Sequence, residues 1–439
     1  MLKTLVGAFK NKDIRKKILY TLMILVIVRV GSLLPIPGVD TEYFSSLLSG
    51  INTGDLSYLS AFTGGSFERM SLFALSITPY ITSSIIMQLL AIAIPKLEEM
   101  QKEGEDGRKK IAAITRYVTI ALALIESIAM AVGFGRSGLI KGYQGFSTLH
   151  YIVSIIVVVA ALTAGSAMLM WLGERITENG VGNGISIVLL INIISGMPSD
   201  FATLYSTFVA PRTIAKGVLA AAIIIAILVV MVVLVCFLQD GERRIPVQYS
   251  QKVSGRKTFG GQSTNIPLKV NTAGVMPVIF ASSLMQFPVI IAQLFGKSYE
   301  WTRYLSSSYW CRVSAPKYSI GLILYVVLLI IFAYFYTSIT FNPVEVADNM
   351  KKAGGVIPGI TPGKSTSEYL NNILNYIVFI GAIGLMIIAL IPILCSGFFN
   401  ASVSFGGTSI IIIVGVVLET MKQIESMMVN RNYRGFLSE

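Results

Sequence analysis

Apolar runs of about 20 residues recur along the chain, and they dictate its fold. A helix of that length rises about 30 Å, which matches the hydrocarbon core of a bilayer. Inside that core every backbone polar group needs a partner, and a helix supplies one within its own segment. The runs therefore predict ten transmembrane helices, spans 1 to 10, at roughly 18–34, 71–94, 111–134, 149–173, 184–207, 213–238, 271–295, 318–340, 371–394 and 406–428.

The composition excludes a soluble protein of this size. Of the 439 residues, 54% are hydrophobic and only 13% are charged, with a mean hydropathy of +0.71. A soluble globular chain needs more polar surface than these residues can supply. We therefore expect an all-α polytopic membrane protein.

The basic residues indicate how the helices are oriented. The formal net charge is +12, and most of the 35 Lys and Arg residues lie before span 1, in the even-numbered loops and at the C-terminal end. Cytoplasmic loops carry such an excess, so both termini are predicted to be cytoplasmic. Because much of the basicity reports topology, it does not imply nucleic acid, and we expect no binding to DNA.

The chain divides into two halves that carry cytoplasmic extensions. Two loops, at about 239–270 and 342–369, are long for a compact membrane protein. Loops of this length are usually functional, so both are candidates for docking a partner. The other divisions are an amphipathic N-terminus on the cytoplasmic membrane surface at 1–17, an N-terminal half at 18–208, a C-terminal half at 209–428 and a cytoplasmic tail at 429–439.

Short sequences of spans 2 and 5 return in spans 7 and 10. Span 2 reads PYITSSIIMQ from Pro79, and span 7 reads PVIFASSLMQ from Pro277. Span 5 reads GISIVLL from Gly184, and span 10 reads GTSIIII from Gly407. In both matches the second copy lies five spans after the first. Because successive spans cross the membrane in opposite directions, an odd displacement reverses the direction of the second copy, which predicts two inverted five-helix repeats. Inverted repeats commonly place their working site at the repeat interface, near the midplane.

The four repeated helices carry aliphatic residues at corresponding places. The repeat pairs Ile81 of span 2 with Ile279 of span 7, and Leu189 of span 5 with Ile412 of span 10. Such a set predicts a ring of aliphatic side chains around a central pore, since a hydrophobic constriction excludes ions by dewetting. The alternative is that these stripes face lipid or core.

Hydroxyl and amide residues accompany the aliphatic positions on spans 2 and 7. We expect them to pair across a helix interface through bonds of about 0.6–2 kcal/mol each, weak enough for the seam to open. The prolines at 79 and 277 would favour bending of both helices. Ordinary helix–helix packing is the alternative. The predicted seam residues are Thr82, Ser83, Ser84, Gln88, Ser282, Ser283 and Gln286.

The sequence predicts no catalytic group, metal site or cofactor. The stretch GITPGKS from Gly359 has three residues between its first glycine and its Gly-Lys where a phosphate loop needs four, and prolines lie at positions 358 and 362. His150 has no cysteine or carboxylate at ligand spacing. We therefore expect that the protein is not an enzyme.

The residues alone leave two other classes of membrane protein open. A secondary transporter with inverted repeats would need an ion site at the midplane, for which Glu126 of span 3 is the candidate. A membrane scaffold without a conduit predicts that replacing Ile81 or Ile412 by Asn causes no ion leak.

Several long stretches of the chain resemble the SecY family of protein-translocation channels, nearly end to end. They read PIPGVD, FALSITPYITSSIIMQLL, MWLGERITENGVGNGISI, GQSTNIPLKVNTAGVMPVIFASS, VADNMKKAGGVIPGITPG and RNYRGF. The resemblance implies a channel that passes unfolded secretory polypeptides across the bacterial inner membrane. It also implies a lateral gate between spans 2–3 and spans 7–8, through which signal sequences and membrane segments enter the lipid bilayer.

The resemblance also implies roles for individual residues. It assigns a pore ring to Ile77, Ile81, Ile185, Leu189, Ile279 and Ile412. It assigns the plug roughly to Leu56 to Arg69, with Tyr58, Leu59, Phe62, Gly64, Gly65 and Phe67 as its main residues. The residues expected to line the lateral gate are Thr82, Ser83, Gln88, Ser282, Ser283 and Gln286 of the seam.

The partners implied by the resemblance are the membrane subunits SecE and SecG, and the SecA motor or a ribosome with its RNA at the two long loops. The residues expected to dock them are Arg243, Arg244, Lys252, Arg256, Lys257, Lys351, Lys352 and Lys364. This chain departs from the family at Thr361, where the family commonly has arginine within PGIRPG. A motor contact through that guanidinium is therefore not carried over.

Overall fold

A computed structural model describes most of the chain, and ten long helices in it correspond to the ten predicted spans. The described residues are 7–50, 63–135, 148–211, 214–249, 252–254, 257–259, 263–294, 300–306, 309–311, 316–399 and 407–436. Spans 1 to 10 are Lys12–Leu33, Thr78–Ala93, Glu105–Phe134, Thr148–Asn179, Gly184–Leu204, Ile214–Asp240, Met276–Leu294, Ile320–Thr340, Lys364–Phe399 and Gly407–Phe436.

Six helices of the described residues are long and apolar enough to cross a membrane by length and composition. Span 2 and the helix after it, Pro95–Gln101, meet at a bend of 107°. If this bent pair is counted as one span, the number rises to seven. The predicted all-α polytopic fold is confirmed. The shorter helical segments are Thr41–Gly50, Pro95–Lys102, a π-helical turn at Tyr205–Val209, Thr302–Leu305, a 3-10 turn at Pro316–Ser319, and Pro343–Lys352.

The two halves repeat the same pattern of neighbouring helices. In the N-terminal half, span 4 contacts spans 1, 3 and 5, span 2 contacts span 3, and span 1 contacts span 5. In the C-terminal half, span 9 contacts spans 6, 8 and 10, span 7 contacts span 8, and span 6 contacts span 10. Each contact in one half has its counterpart five spans away. This correspondence agrees with two five-helix repeats.

The halves meet through spans 5 and 10 and through spans 3 and 7. A hydrophobic cluster extends across this interface and includes Phe73, Leu169 and Val188 from the N-terminal half. Phe280 and Val416 join it from the C-terminal half. The core is therefore shared between the halves, in addition to the core that each half has of its own.

The two long loops that were predicted to be cytoplasmic fold into a single unit, called the cytoplasmic unit below. Strand β1, Glu242–Tyr249, pairs antiparallel with strand β4, Ser263–Lys269, so that Ile245 lies opposite Ile266. Strand β5, Gly355–Val356, comes from the second loop and pairs with the other edge of β1. The remaining strands form a separate two-stranded sheet, β2 at Lys252–Ser254 and β3 at Lys257–Phe259.

Apolar residues hold this cytoplasmic unit together. Ile245 and Val247 of β1 are buried in one cluster with Met350, Ile357 and Leu370, the last of which belongs to span 9. Sequence analysis treated the two loops as separate docking candidates. The structure instead joins them by strand pairing and by a common core.

The N-terminal residues contact span 10 rather than lying free on a membrane surface. Ala8 and Ile14 are buried in a cluster with Val181, Met421 and Ile424. Span 1 is one continuous helix from Lys12, so residues 12–17 belong to that helix. Ala8 and Ile14 therefore pack against protein and link the two halves, whereas Phe9 is exposed.

Candidate functional site

The six predicted ring residues lie in one hydrophobic cluster at the interface of the two halves. Span 5 contributes two of them, spans 7 and 10 contribute one each, and the remaining two come from span 2 and the residue before it. The buried members are Ile77, Leu189, Ile279 and Ile412, and the half-buried members are Ile81 and Ile185.

Local structure explains how two of these side chains are positioned. Span 5 begins directly after Asn183, whose side chain accepts hydrogen bonds from the backbone N–H groups of Ile185 and Ser186 at 3.2 and 3.4 Å. This is an N-cap, which fixes the start of a helix. Ile185 and Leu189 then follow one turn apart on the same face.

An aliphatic interface of this kind has a definite chemistry. It offers neither charge nor hydrogen bonds to an ion, so it excludes water and ions when closed. Among the residues that the structure describes, no group of three or more His, Cys, Asp or Glu residues could hold a metal ion.

Two of the predicted seam residues bond within the N-terminal half. The Thr82 hydroxyl donates to the Thr78 carbonyl oxygen at 3.1 Å. The Ser83 hydroxyl donates to the Tyr80 carbonyl oxygen at 2.9 Å, and shares a hydrogen bond of 2.5 Å with the Thr119 hydroxyl of span 3. These two residues were expected to pair with span 7. They do not, because a carbonyl of their own helix and a hydroxyl of span 3 lie within reach.

The other seam residues are placed as follows. The Ser282 hydroxyl donates to the Val278 carbonyl oxygen of its own helix at 2.7 Å, and Ser283 is half-buried. Gln88 donates to the Ser84 hydroxyl at 3.5 Å, and Gln286 is buried. Span 7 packs against span 3 of the other half, and Phe280 of span 7 makes an edge-to-face contact with Phe332 of span 8.

The predicted plug is described only from residue 63 onward, so Tyr58, Leu59 and Phe62 lie outside the described residues. Gly64 and Gly65 have φ angles of +61° and +80°, in the left-handed region that glycine tolerates best. The Ser195 hydroxyl of span 5 donates to the Gly64 carbonyl oxygen at 3.4 Å. Phe67 is buried against Phe44, with ring centroids 5.9 Å apart.

The expected docking residues lie on the cytoplasmic unit. Arg243 and Arg244 are exposed on β1, and Arg244 forms an ion pair with Glu242 at 2.6 Å. Lys351 and Lys352 are exposed in the last turn of helix Pro343–Lys352. Lys364 is exposed at the start of span 9. Lys252 lies in β2 and Lys257 lies in β3. Arg256 lies outside the described residues.

Sequence analysis overlooked a set of buried polar residues beside the ring. The Asn192 side chain of span 5 donates to the Ser76 hydroxyl at 3.1 Å. The Ser166 hydroxyl of span 4 donates to the Ser76 carbonyl oxygen at 3.4 Å. Asn192 lies seven residues after Ile185, on the same side of the helix, and this spacing was the only signal available in the sequence.

Comparison with known proteins agrees with this geometry. The SecY family model matches residues 71–421. A protein translocase subunit SecY from Streptomyces galbus is 45% identical over 446 residues, covering 100% of both chains. A solved protein-conducting channel is 18% identical, with a TM-score of 0.65, over 94% of this chain and 93% of its own.

A second solved structure has the same fold. It is a channel from a canine ribosome–channel complex of the endoplasmic reticulum, 17% identical to this chain, with a TM-score of 0.63. It covers 94% of this chain and 93% of its own. These two structures compare the fold alone, whereas the family match and the full-length relative compare the sequence. On that basis the chain belongs to the SecY family and is a protein-translocation channel subunit, not an enzyme.

Proposed function

We propose that unfolded secretory polypeptides cross the membrane between the two halves, through the ring of six aliphatic residues. The proposal rests on one observation. All six ring residues lie in a single hydrophobic cluster to which both halves contribute. Flexible aliphatic side chains adapt to many polypeptide sequences and bind none of them strongly. When no polypeptide is present, the same side chains close the passage to ions.

The proposed lateral exit follows the contact between spans 3 and 7. The hydroxyls of Thr82 and Ser83 bond inside the N-terminal half, so separating the halves leaves those bonds intact. A signal sequence or membrane segment then has access to lipid without breaking them. This arrangement supports a gate between spans 2–3 and 7–8.

The cytoplasmic unit is the proposed docking surface for a motor or a ribosome. It carries exposed Arg243, Arg244, Lys351, Lys352 and Lys364 on one folded body. Basic side chains suit the phosphates of ribosomal RNA and acidic protein surfaces. A channel of the same fold comes from a ribosome–channel complex. We further propose a bacterial inner-membrane location with cytoplasmic termini, and SecE and SecG as membrane partners.

Cross-linking to a trapped substrate tests the conduit. Cys236, Cys311 and Cys395 are first replaced by serine, and a single cysteine is then placed at Ile81, Ile279 or Ile412. A secretory chain arrested midway carries a thiol-reactive group. We expect adducts at all three positions. The control cysteine replaces Ile323 of span 8, which is 65% exposed on the outside of the helix bundle, and should give none.

The outcome separates the conduit from the transporter. If the ring positions give no adduct while the arrested chain is bound to the membrane protein, polypeptide does not pass between the halves. Substrate-coupled ion flux that is lost in Glu126→Gln would then favour a secondary transporter.

A further inference from the structure

The segment from Thr63 to Ile77, called the collar below, leads directly into the gate helix, span 2. Its residue Ser76 has φ +52°, in the left-handed region. A residue other than glycine is strained in this region and persists there only where its surroundings hold it. The next residue is Ile77 of the ring.

Two buried side chains hold Ser76 in this conformation. Asn192 donates to the Ser76 hydroxyl, and Ser166 donates to the Ser76 carbonyl oxygen. All three residues are at most 2% exposed. Hydrogen bonds between groups this deeply buried are costly to break, because each freed polar group would lose its partner without gaining water.

Glycines bring the collar close to three helices of the N-terminal half. A Cβ added to Gly165 of span 4 would overlap the carbonyl oxygen of Leu72, and one added to Gly31 of span 1 would overlap the ring of Phe73. A Cβ added to Gly64 would lie 2.7 Å from the carbonyl oxygen of Asn192 in span 5. No side chain fits in these contacts, so the collar is tightly packed.

Backbone hydrogen bonds fasten the collar to the same half. The Leu72 amide donates to the Leu34 carbonyl oxygen at 2.9 Å, and the Ile36 amide donates to the Met70 carbonyl oxygen at 3.1 Å. Residues 34 and 36 directly follow span 1. The hydrogen bonds and glycine contacts named for the collar therefore all go to the N-terminal half, while Phe73 and Ile77 also belong to the hydrophobic cluster that the two halves share.

We propose that residues 64–77 stay attached to the N-terminal half when the channel opens, and that Asn192 and Ser76 are positioning residues that hold Ile77 in the ring. The proposal rests on the conduit function. Gly64, Gly65 and Phe67, which were predicted to belong to a plug that leaves the pore, stay in place under this proposal. Any segment that leaves the pore must then end before Gly64.

A reversible cross-link tests whether the collar moves. In a chain without its native cysteines, Ser76→Cys and Asn192→Cys place two thiols where the native side-chain atoms lie 3.1 Å apart. They are joined by oxidation or by a short thiol-specific cross-linker that reduction cleaves. The assay is transport of a secretory chain into proteoliposomes that contain the assembled complex, before and after reduction.

We expect the cross-linked channel to transport within about twofold of the reduced one. Transport that the cross-link abolishes and reduction restores would show that the collar must move, and would overturn the proposal. Failure of the thiols to join in the resting channel would contradict the geometry as well. The cysteine-free parent is assayed in parallel, and a lack of transport there would count against the conduit function itself.

The positioning role has its own test, the ion leak of the resting channel. Asn192→Ala removes the donor to Ser76, and we expect the leak to rise severalfold as Ile77 shifts. Adding Ser76→Gly should lower it again, since glycine adopts a positive φ without support. The control is Ser199→Ala, because the Ser199 hydroxyl donates to the Gly196 carbonyl oxygen of the same helix. An unchanged leak in Asn192→Ala would refute the positioning role.

Discussion

At the scale of single residues, the smallest side chains decide how closely the helices approach. Gly165 lets span 4 contact the Leu72 carbonyl oxygen directly, with no room for a methyl group. Gly196 of span 5, by contrast, has no atom within 4 Å of where its Cβ would lie. The two glycines look alike in sequence, and both lie inside transmembrane helices. Only the three-dimensional structure shows that glycine is required by packing at position 165, whereas position 196 has room for a larger side chain.

This contrast gives a matched pair of alanine substitutions. Gly165→Ala should destabilise the protein by about 1–3 kcal/mol, because the added methyl forces backbone apart. Gly196→Ala should leave it unchanged or stabilise it by about 0.5–1 kcal/mol, because alanine favours the helix. The measurement is thermal unfolding of the purified protein in detergent. Equal midpoints for both variants would mean that the collar is not tightly packed against span 4.

At the scale of elements, the joining of the two cytoplasmic loops depends on a few buried residues. Ile245 is 2% exposed in the core that both loops share, whereas Gln248, three residues along the same strand, is exposed. The strand pairing between the loops covers only two residues of each strand, Gln248 with Val356 and Tyr249 with Gly355. The two loops are therefore held together by the shared apolar core as well as by this short strand pairing.

Replacing the buried residue should separate the loops. Ile245→Ser should cost the cytoplasmic unit about 2–5 kcal/mol, the range for truncating a buried isoleucine. We expect faster protease cleavage in both loops from the cytoplasmic side, with the spans still protected. Gln248→Ser, on the same strand, should be cleaved at the wild-type rate. Cleavage confined to the first loop would show that the two loops fold independently.

The elements also show what a sequence can and cannot predict. The ten spans were predictable because long apolar runs are a local signal, and the repeat followed from matching letters in spans 2 and 7. The pairing of β5 with β1 was not predictable, since it joins Gly355 to Tyr249 across two intervening spans, 7 and 8. Ser83 pairs across a helix interface, but with Thr119 of span 3 and not with span 7, and this partner could be identified only once span 3 was in place. Thr82 bonds instead to the Thr78 carbonyl oxygen of its own helix.

At the scale of the whole molecule, the ring is unequally divided between the halves. Four of its residues, Ile77, Ile81, Ile185 and Leu189, belong to the N-terminal half, and Ile279 and Ile412 belong to the other. In the proposed conduit, closure therefore requires the two halves to meet, since neither half carries the whole ring. A polar substitution at the meeting point should weaken the seal even when each half is well folded.

Span 5 offers a matched pair for this prediction. Leu189 is 4% exposed in the shared cluster, whereas Ile194 on the same helix is 40% exposed. We expect Leu189→Asn to raise the ion conductance of the resting channel severalfold, because an amide favours a wetted passage. Ile194→Asn should have little effect. Conductance is measured on the purified complex in planar bilayers, and equal values for the two variants would contradict a seal at Leu189.

The sheet that joins the two loops has a mechanical consequence. Strand β1 has eight residues, and at about 3.3 Å per residue it is roughly 26 Å long. It connects to span 6 at one end, and through β4 and β5 it is coupled to spans 7, 8 and 9. In the docking proposed above, a force that a bound partner applies to this sheet is therefore transmitted to spans 6, 7, 8 and 9 together rather than to a single helix.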